Sequence, residues 1–510
     1  MNSNMTEQLD QLFRMWDRGL CPGAQVLIRQ HGKTLYEKCF GYGNLENKLK
    51  IHKESIFHVA SISKEFTVMS ILLLWKEGKL DLDDNIKKYL NEYINIETPI
   101  TIRQMMNNVS GLRDQWELLF LRGIKINDQI DMDDINTTIS LQKSLNFEPQ
   151  SQYLYSNTGF HLLALIVEKL SQMSFPQFVK ERIFTPLGMT HSFVRESFTQ
   201  IVPDLTYSYQ DEGDDTFYYN PLNYALYGPT SVNTCASDLC KVLDEYIHPN
   251  VIDPEIIELM KKPVLLSNGK TAEYCGGLIT HKLHGLDVFG HGGADAAYRG
   301  EIICIPEKEL ELVLISNTTT YAMSKLADKA ACIVLGLPDC TEPAVPEHEN
   351  APARSGVFLT ALPDDPMFVD ITEQNGTFYM QREWCRTELV KEEDGGYRIG
   401  SLDEKIYFTD NGILYRLPAR VLTPAKPADP ALFQEGTYYN DETDSFMKLV
   451  KIENTCEIHM RRHGKTTLYQ SASGSIIFRM DANLVMYVKA ENDTIIMDGG
   501  RIKHIIYQKQ

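Results

Sequence analysis

The sequence predicts an α+β domain, an antiparallel sheet with helices plus a helical lobe, followed by two small all-β barrel-like modules. An early hairpin at residues 24–38 and strand-like runs reaching Ser316 flank a helical middle of about residues 61–260. Downstream the texture changes to short β runs separated by turns. Two proline-bearing stretches, Pro338 to Pro346 and Pro424 to Pro430, punctuate that change. The boundaries read as 1–337 for the first domain, 338–352 for a linker, 353–422 for one β module, 423–433 for a second linker and 434–510 for the other module.

Taken in order, Gln8 to Gly19 reads as a short amphipathic helix, and Ala24–Gln30 with Lys33–Lys38 as a hairpin around His31-Gly32. The apolar run from Phe66 through Trp75 reads as a buried helix, and an amphipathic helix is expected near His161–Lys169. Strands are expected around Gly276–Thr280, Leu286–Phe289, Glu301–Ile305 and Leu310–Ser316, then a helix near Lys325–Leu335. Gly356-Val357-Phe358 and Gly436-Thr437-Tyr438 open the two β modules alike, which points to a duplication. The competing reading is a pair of binding or oligomerisation modules unrelated to any chemistry in the first domain.

Composition narrows the function classes. The 510 residues carry 50 Lys plus Arg against 69 Asp plus Glu, a net charge of −19. Phosphate-rich partners select basic surfaces, so neither a nucleic acid nor an anionic membrane is expected. The first residues lack a basic stretch followed by an apolar one, and no run approaches the length of a membrane span; cytoplasmic residence is the expectation. Ten scattered cysteines fit small buried hydrophobes in a reducing compartment. Cys235 and Cys240 have no second pair nearby, and no His-x-x-x-His occurs with an acidic helper, so no metal or cofactor is expected. The expected partner is a small molecule or short peptide, with self-association left open.

The motif that points to chemistry is Ser61-Ile62-Ser63-Lys64, between the extended Ile56–Val59 and the apolar helix. A serine hydroxyl is a poor nucleophile unless a base is held within hydrogen-bond reach. Residues i and i+3 share a helix face, so Lys64 can address Ser61. A helix N-terminus adds partial positive charge that favours an anionic intermediate. The same spacing recurs at Ser140-Lys143, Ser267-Lys270 and Ser445-Lys448, and serine is also an ordinary helix cap. Further segments separate these readings. Tyr155-Ser156-Asn157 precedes an amphipathic helix, and Gly290-His291-Gly292-Gly293-Ala294 precedes a strand.

These three motifs, in this order, resemble the serine β-lactamase and penicillin-binding-protein superfamily, specifically its class C and D-aminopeptidase-like branch, which reads Ser-x-x-Lys, Tyr-x-Asn, His/Lys-x-Gly. Val109-Ser110-Gly111-Leu112 and Thr234 to Leu239 are similar to further family segments, and the resemblance covers about residues 10–335. It implies a first domain of the β-lactamase/transpeptidase type, and a catalytic domain with two barrels is a layout found in the D-aminopeptidase branch. It also implies a nucleophile at Ser61, proton-handling groups at Lys64 and Tyr155, and an amide at Asn157 that orients Lys64 and meets a substrate carbonyl. Lys64 and Tyr155 both remain open as the general base. His291, where most β-lactamases have lysine, looks like the D-aminopeptidase and esterase members and is expected among the catalytic residues, Lys64 or His291 stabilising a Tyr155 phenolate. Gly292 and Gly293 would bring the strand to the substrate, and the N–H groups of Ala294 and Ser61 would form the oxyanion hole. Asn108 departs from a histidine common in the family, and no deacylating glutamate can be assigned, so efficient β-lactam hydrolysis is not implied.

The expected function is therefore a serine hydrolase that cleaves a small amide, peptide or ester through a Ser61 acyl-enzyme, most like a D-aminopeptidase. Alternatives are an esterase or a D,D-carboxypeptidase/penicillin-binding protein with weak β-lactamase activity, and, in another class, a non-catalytic ligand- or antibiotic-binding module. A free-amine substrate needs an acidic contact. The loop with Asp441, Glu442 and Asp444 is expected to supply it by folding over the cleft, the competing reading being a solvated turn. Cutting the chain after about Pro346 is then expected to leave small-ester hydrolysis and change only selectivity.

Overall fold

The computed structural model describes residues 3–211, 215–319, 322–339, 349–360, 367–381, 386–399, 405–415, 420–480 and 484–510. Residues 340–348, most of the expected first linker, lie outside the described residues, as do Cys340 and Cys385. The first domain is built on seven antiparallel strands in the order Tyr274–Cys275, Leu278–Leu283, Leu286–Asp295, Tyr298–Ile305, Leu310–Ser316, Ala24–Gln30 and Lys33–Phe40. The N-terminal hairpin joins the late strands because Ala24 lies opposite Ser316 and Gln30 opposite Leu310. His31 and Gly32, at φ 50° and 69°, supply the two left-handed residues of a tight hairpin turn.

Alternation along these strands assigns their faces. Val26, Ile28, Ile303, Ile305, Leu312 and Leu314 face one core, shared with Leu9, Phe13, Trp16 and the helix Met323–Leu335. Their neighbours Leu27, Ile302, Cys304, Val313 and Ile315 face the helical lobe. The first helix stops at Leu12 rather than running to Gly19. A 3-10 turn at Arg14–Trp16 instead seats Trp16 against Phe13, with ring centroids 5.8 Å apart. The strand expected around Gly276–Thr280 is divided, since Gly276 and Gly277 turn the chain at φ 50° and 83°. The next strand runs past Phe289 to Asp295, so the His-Gly-Gly motif lies within a strand.

In the lobe, the helix Ser63–Lys76 is buried on nearly every side, polar Lys64, Glu65, Thr67 and Ser70 included. It is a central helix, packed against Asn157–Ser171.

The two C-terminal modules are all β. Strands from Gly356–Leu359 to Arg420–Pro424 close an eight-stranded barrel around Phe358, Ile371, Met380, Phe408 and Leu422. A ten-stranded antiparallel sheet, nearly closed, spans Lys426–Pro427 to Ile505–Lys509. The first part of the expected second linker enters the sheets: Arg420–Pro424 completes one barrel, and Lys426–Pro427 begins the next.

The second barrel is fused to the helical lobe. Leu118, Phe120 and Leu121 of the helix Gln115–Leu121 share a core with Tyr438, Met447, Ile458 and Tyr507. Beside them Arg113, its side chain fully buried, pairs with Glu442 at 2.8 Å. Glu442 also accepts from the Lys143 N–H at 2.7 Å and the Ser144 hydroxyl at 3.0 Å, while Asp441 pairs with Lys143 and Asp444 accepts from Tyr439. The acidic loop is therefore a latch onto the lobe, held by cations and N–H groups, and does not line the cleft. Removing the modules would expose that apolar helix and take Glu442 from Arg113, which argues against a truncation that keeps its fold. Among the described residues, no helix is long and apolar enough to cross a membrane.

Candidate active site

Ser61 lies in the 3-10 turn Ala60–Ile62, which runs directly into the helix Ser63–Lys76. Ala60 has φ 49°, a left-handed conformation costly for a residue with a Cβ, so the turn presenting Ser61 is held under strain. One helical turn on, the fully buried Lys64 places Nζ 3.0 Å from Ser61 Oγ, 2.8 Å from Asn157 Oδ1 and 2.9 Å from the Pro229 carbonyl oxygen. Burial, and after it the charge of Arg501, pushes the Lys64 amine well below its ordinary range, against the pull of Asp114 and Asp295.

Asn157 opens its own helix, and Asp114 fixes it. One oxygen of this buried carboxylate accepts from both the backbone N–H and the side-chain Nδ2 of Asn157, each at 2.8 Å. A carboxylate takes only donors, so the amide must turn its oxygen to Lys64. One amide N–H is thereby committed to Asp114, and the role these contacts support for Asn157 is orienting Lys64. The other Asp114 oxygen caps the helix Gln115–Leu121 by accepting from the Trp116 N–H at 3.0 Å.

Burial raises the Tyr155 phenol above the ordinary tyrosine range, against the pull of the neighbouring Ser61 hydroxyl. Lys64 Nζ lies 4.9 Å from its ring centroid. Asn108, at φ 54°, holds the approach to this motif by accepting the Ser156 N–H on its side chain and the Leu154 N–H on its carbonyl.

His291 is buried and neutral: burial first, then the neighbouring Lys64, lowers it to about 3. Its Nδ1 donates to the Gly292 carbonyl at 2.5 Å, and Nε2 accepts from the Tyr274 hydroxyl at 3.2 Å. With both nitrogens engaged, it packs 6.0 Å from the Tyr155 ring. Gly293 is where the strand meets the serine turn. A Cβ there would lie 2.3 Å from the Val59 carbonyl oxygen. Gly293→Ala is accordingly expected to lower kcat/KM by about 100-fold by displacing the strand from Ser61, as steady-state kinetics on any turned-over substrate would read.

Ser61, Tyr155, Asn157, His291, Gly292, Gly293 and Ala294 all line one cleft of about 620 Å³, above the buried Lys64. The cleft also contains residues that the sequence reading did not select. Asp295 accepts from His58 at 2.9 Å and Thr230 at 3.0 Å, and from Tyr224; burial opposes its charge, yet these bonds hold it below the usual carboxylate range. Glu301 has no hydrogen-bond partner among the described residues, and burial pushes it up to about 8. Arg501 arrives from the second barrel, its guanidinium carbon 4.9 Å from the Tyr155 ring centroid. A second cavity, of about 870 Å³, lies between lobe and barrel and shares Tyr153 with the cleft.

Among the described residues, one cluster has metal-ligating atoms close together, His191, Cys235 and Asp238, within 4.8 Å of one another. Asp238 already accepts from the His191 N–H, the Ser192 hydroxyl and Lys241, which makes the cluster a hydrogen-bonded knot at the start of the helix Ala236–Ile247, outside the lining of the cleft.

A serine with a buried amine in hydrogen-bond reach, an amide that orients that amine, and a glycine-bearing strand alongside form an arrangement able to support serine acyl transfer. The beta-lactamase family model matches residues 7–333, and the chain belongs to that family. Penicillin-binding protein 4* of Bacillus subtilis (strain 168) is 27% identical over 430 residues, 80% of this chain and 95% of that protein. A D-aminopeptidase of Gluconobacter oxydans (strain 621H) is 27% identical over 319 residues, 62% of this chain and 59% of that protein. Among solved structures, the octameric penicillin-binding protein homologue from Pyrococcus abyssi has a TM-score of 0.58 at 20% identity, covering 91% of this chain and 99% of that one. D-amino acid amidase from Ochrobactrum anthropi SV3, solved with L-phenylalanine amide, has a TM-score of 0.54 at 21% identity, covering 66% and 99%. These two likenesses concern the fold. The chain is a serine hydrolase of the β-lactamase and penicillin-binding-protein superfamily.

Proposed function

We propose that this hydrolase cleaves a small amide, peptide or ester through an acyl-enzyme on Ser61, with a D-aminopeptidase-like preference. The observation that carries the reading is the partner set of Lys64. A neutral amine has two N–H groups and one lone pair. Asn157 Oδ1 and the Pro229 carbonyl can only accept, so they take the two N–H groups, and the lone pair is left facing the Ser61 hydroxyl. Lys64 is therefore the base: it takes the Ser61 proton as Oγ bonds to the carbonyl carbon. Tyr155, kept protonated by burial, gives its proton to the departing nitrogen or oxygen; its phenolate then takes a proton from the hydrolytic water, and Lys64 returns its proton to Ser61 Oγ as the acyl group leaves. The N–H groups of Ser61 and Ala294 would receive the developing oxyanion. Water then hydrolyses the acyl-enzyme.

The D-aminopeptidases among the relatives support the finer preference. So does Glu301, an unpartnered acid on the cleft wall that a substrate ammonium would ionise. A carboxypeptidase-like reading is favoured by Arg501, a cation on the same cleft. Eight cysteines that form no disulfide among the described residues support a reducing, cytoplasmic setting. An octameric relative supports self-association, which light scattering would read.

The test is a panel of D- and L-alanyl anilides, short acyl esters, a dipeptide with a free C-terminus and a chromogenic cephalosporin, run with wild type and Ser61→Ala. The D-alanyl anilide should be hydrolysed at least tenfold faster than its L isomer, with activity lost in Ser61→Ala. Equal rates on the two isomers would remove the D-aminopeptidase preference, and turnover surviving in Ser61→Ala would remove the acyl-enzyme.

A further inference from the structure

The loop 498–504 crosses from the second barrel to the mouth of the serine cleft and is pinned there at several points. The Arg501 N–H donates to both Glu117 carboxylate oxygens at 3.0 Å. The Arg501 and His504 carbonyls accept from Asn146 and Arg113, and Asn146 Oδ1 accepts the Lys503 N–H at 2.7 Å. A Cβ at Gly499 would lie 2.6 Å from Glu117 Oε2, so the loop is seated closely on the lobe. All this backbone anchoring delivers one side chain. Arg501 lines the same cleft as Ser61, stacks over Tyr155 and keeps 45% of its side chain exposed.

Asp114 and Glu117 support its charge, but neither pairs closely with the guanidinium. Among the described residues its nearest carboxylate oxygen is Asp114 Oδ2, at 4.0 Å. That oxygen already accepts two hydrogen bonds from Asn157. No side-chain hydrogen bond engages the guanidinium among the described residues. A planar fork of donors, pre-positioned over an aromatic face and open to the cleft, matches a carboxylate bidentately.

We propose that Arg501 is a specificity-determining residue, which selects acyl donors bearing a carboxylate and binds that group over the face of Tyr155. This rests on the serine-hydrolase reading above. It also replaces the acidic contact expected of the second barrel by a basic one. The barrel does reach the cleft, with the opposite charge and from a different loop. A purely electrostatic role is the competing account, since the same charge helps keep Lys64 neutral. The two roles separate in a ratio. An effect on Lys64 changes every substrate alike, whereas recognition changes only the carboxylate-bearing one.

The full chain, as wild type, Arg501→Gln and Arg501→Lys, is assayed on two pairs: hippuryl thioglycolate with its methyl ester, and succinyl with butyryl nitrophenyl ester. The first pair carries the carboxylate on the leaving group and the second on the acyl group. In at least one pair wild type should prefer the anionic member, and Arg501→Gln should lower that kcat/KM ratio tenfold or more, mainly through KM. Arg501→Lys should recover part of it. The acid limb of the Arg501→Gln pH profile should move upward for both members equally, reporting the Lys64 effect. Unchanged ratios in both pairs, with turnover intact, would overturn the inference and leave the hydrolase reading standing. No turnover by wild type of any of the four, with Ser61 unlabelled by a fluorophosphonate, would overturn both.

Discussion

Lys64→Arg is expected to lower kcat by about 1,000-fold or more while the protein stays folded, the usual scale for losing a positioned base. Guanidinium keeps the charge but has no lone pair to take the Ser61 proton. Tyr155→Phe, which removes the proton donor to the leaving group, is expected to be severe on amides and milder on activated esters, whose leaving groups need no proton. In wild type, kcat/KM should fall as pH is lowered through the Lys64 titration. Burial disfavours the ammonium, so that limb lies well below the ordinary lysine range. Rates within a few fold of wild type for both variants would remove Lys64 and Tyr155 from the chemistry.

The second large effect concerns stability. Glu442→Ala is expected to cost about 3–5 kcal/mol, because it strands the Arg113 guanidinium in a site with no solvent access. The neighbouring Asp441→Ala is the control. Asp441 and Lys143 are each 61% exposed, and such a pair contributes about 0–1 kcal/mol. Urea denaturation of both variants, followed by tryptophan fluorescence, compares them directly. Trp116 lies beside this junction and packs on the second barrel's core, so undocking of the barrel should register there. Equal losses would mean that the barrel is not held by this latch.

What the sequence made legible is what depends on neighbours along the chain. Ser61 and Lys64 are one helical turn apart, and the apolar run after them requires a buried helix. The hairpin turn at His31-Gly32 and the glycines after His291 carry their backbone demands in their own identity. Charges whose partners are remote were not legible. Asp114 orients Asn157 across 43 residues, and Arg501 reaches Tyr155 only because a barrel begun near residue 426 docks on the helix Gln115–Leu121. The acidic cluster at Asp441, Glu442 and Asp444 was visible, but its partners Arg113, Lys143 and Ser144 lie some 300 residues away. Composition can flag such a loop, and only the docked fold tells a latch from a substrate contact. Tyr274 was hidden for a related reason. Its hydroxyl matters through His291, and nothing in its flanking sequence separates it from other core tyrosines.

The central claim, that Ser61 is the activated nucleophile, is tested most directly by mass spectrometry of the full chain after exposure to a fluorophosphonate, followed by peptide mapping. The account predicts a single adduct on Ser61, formed rapidly in wild type and much more slowly in Lys64→Arg. An adduct on another serine, or none on folded protein, would contradict it.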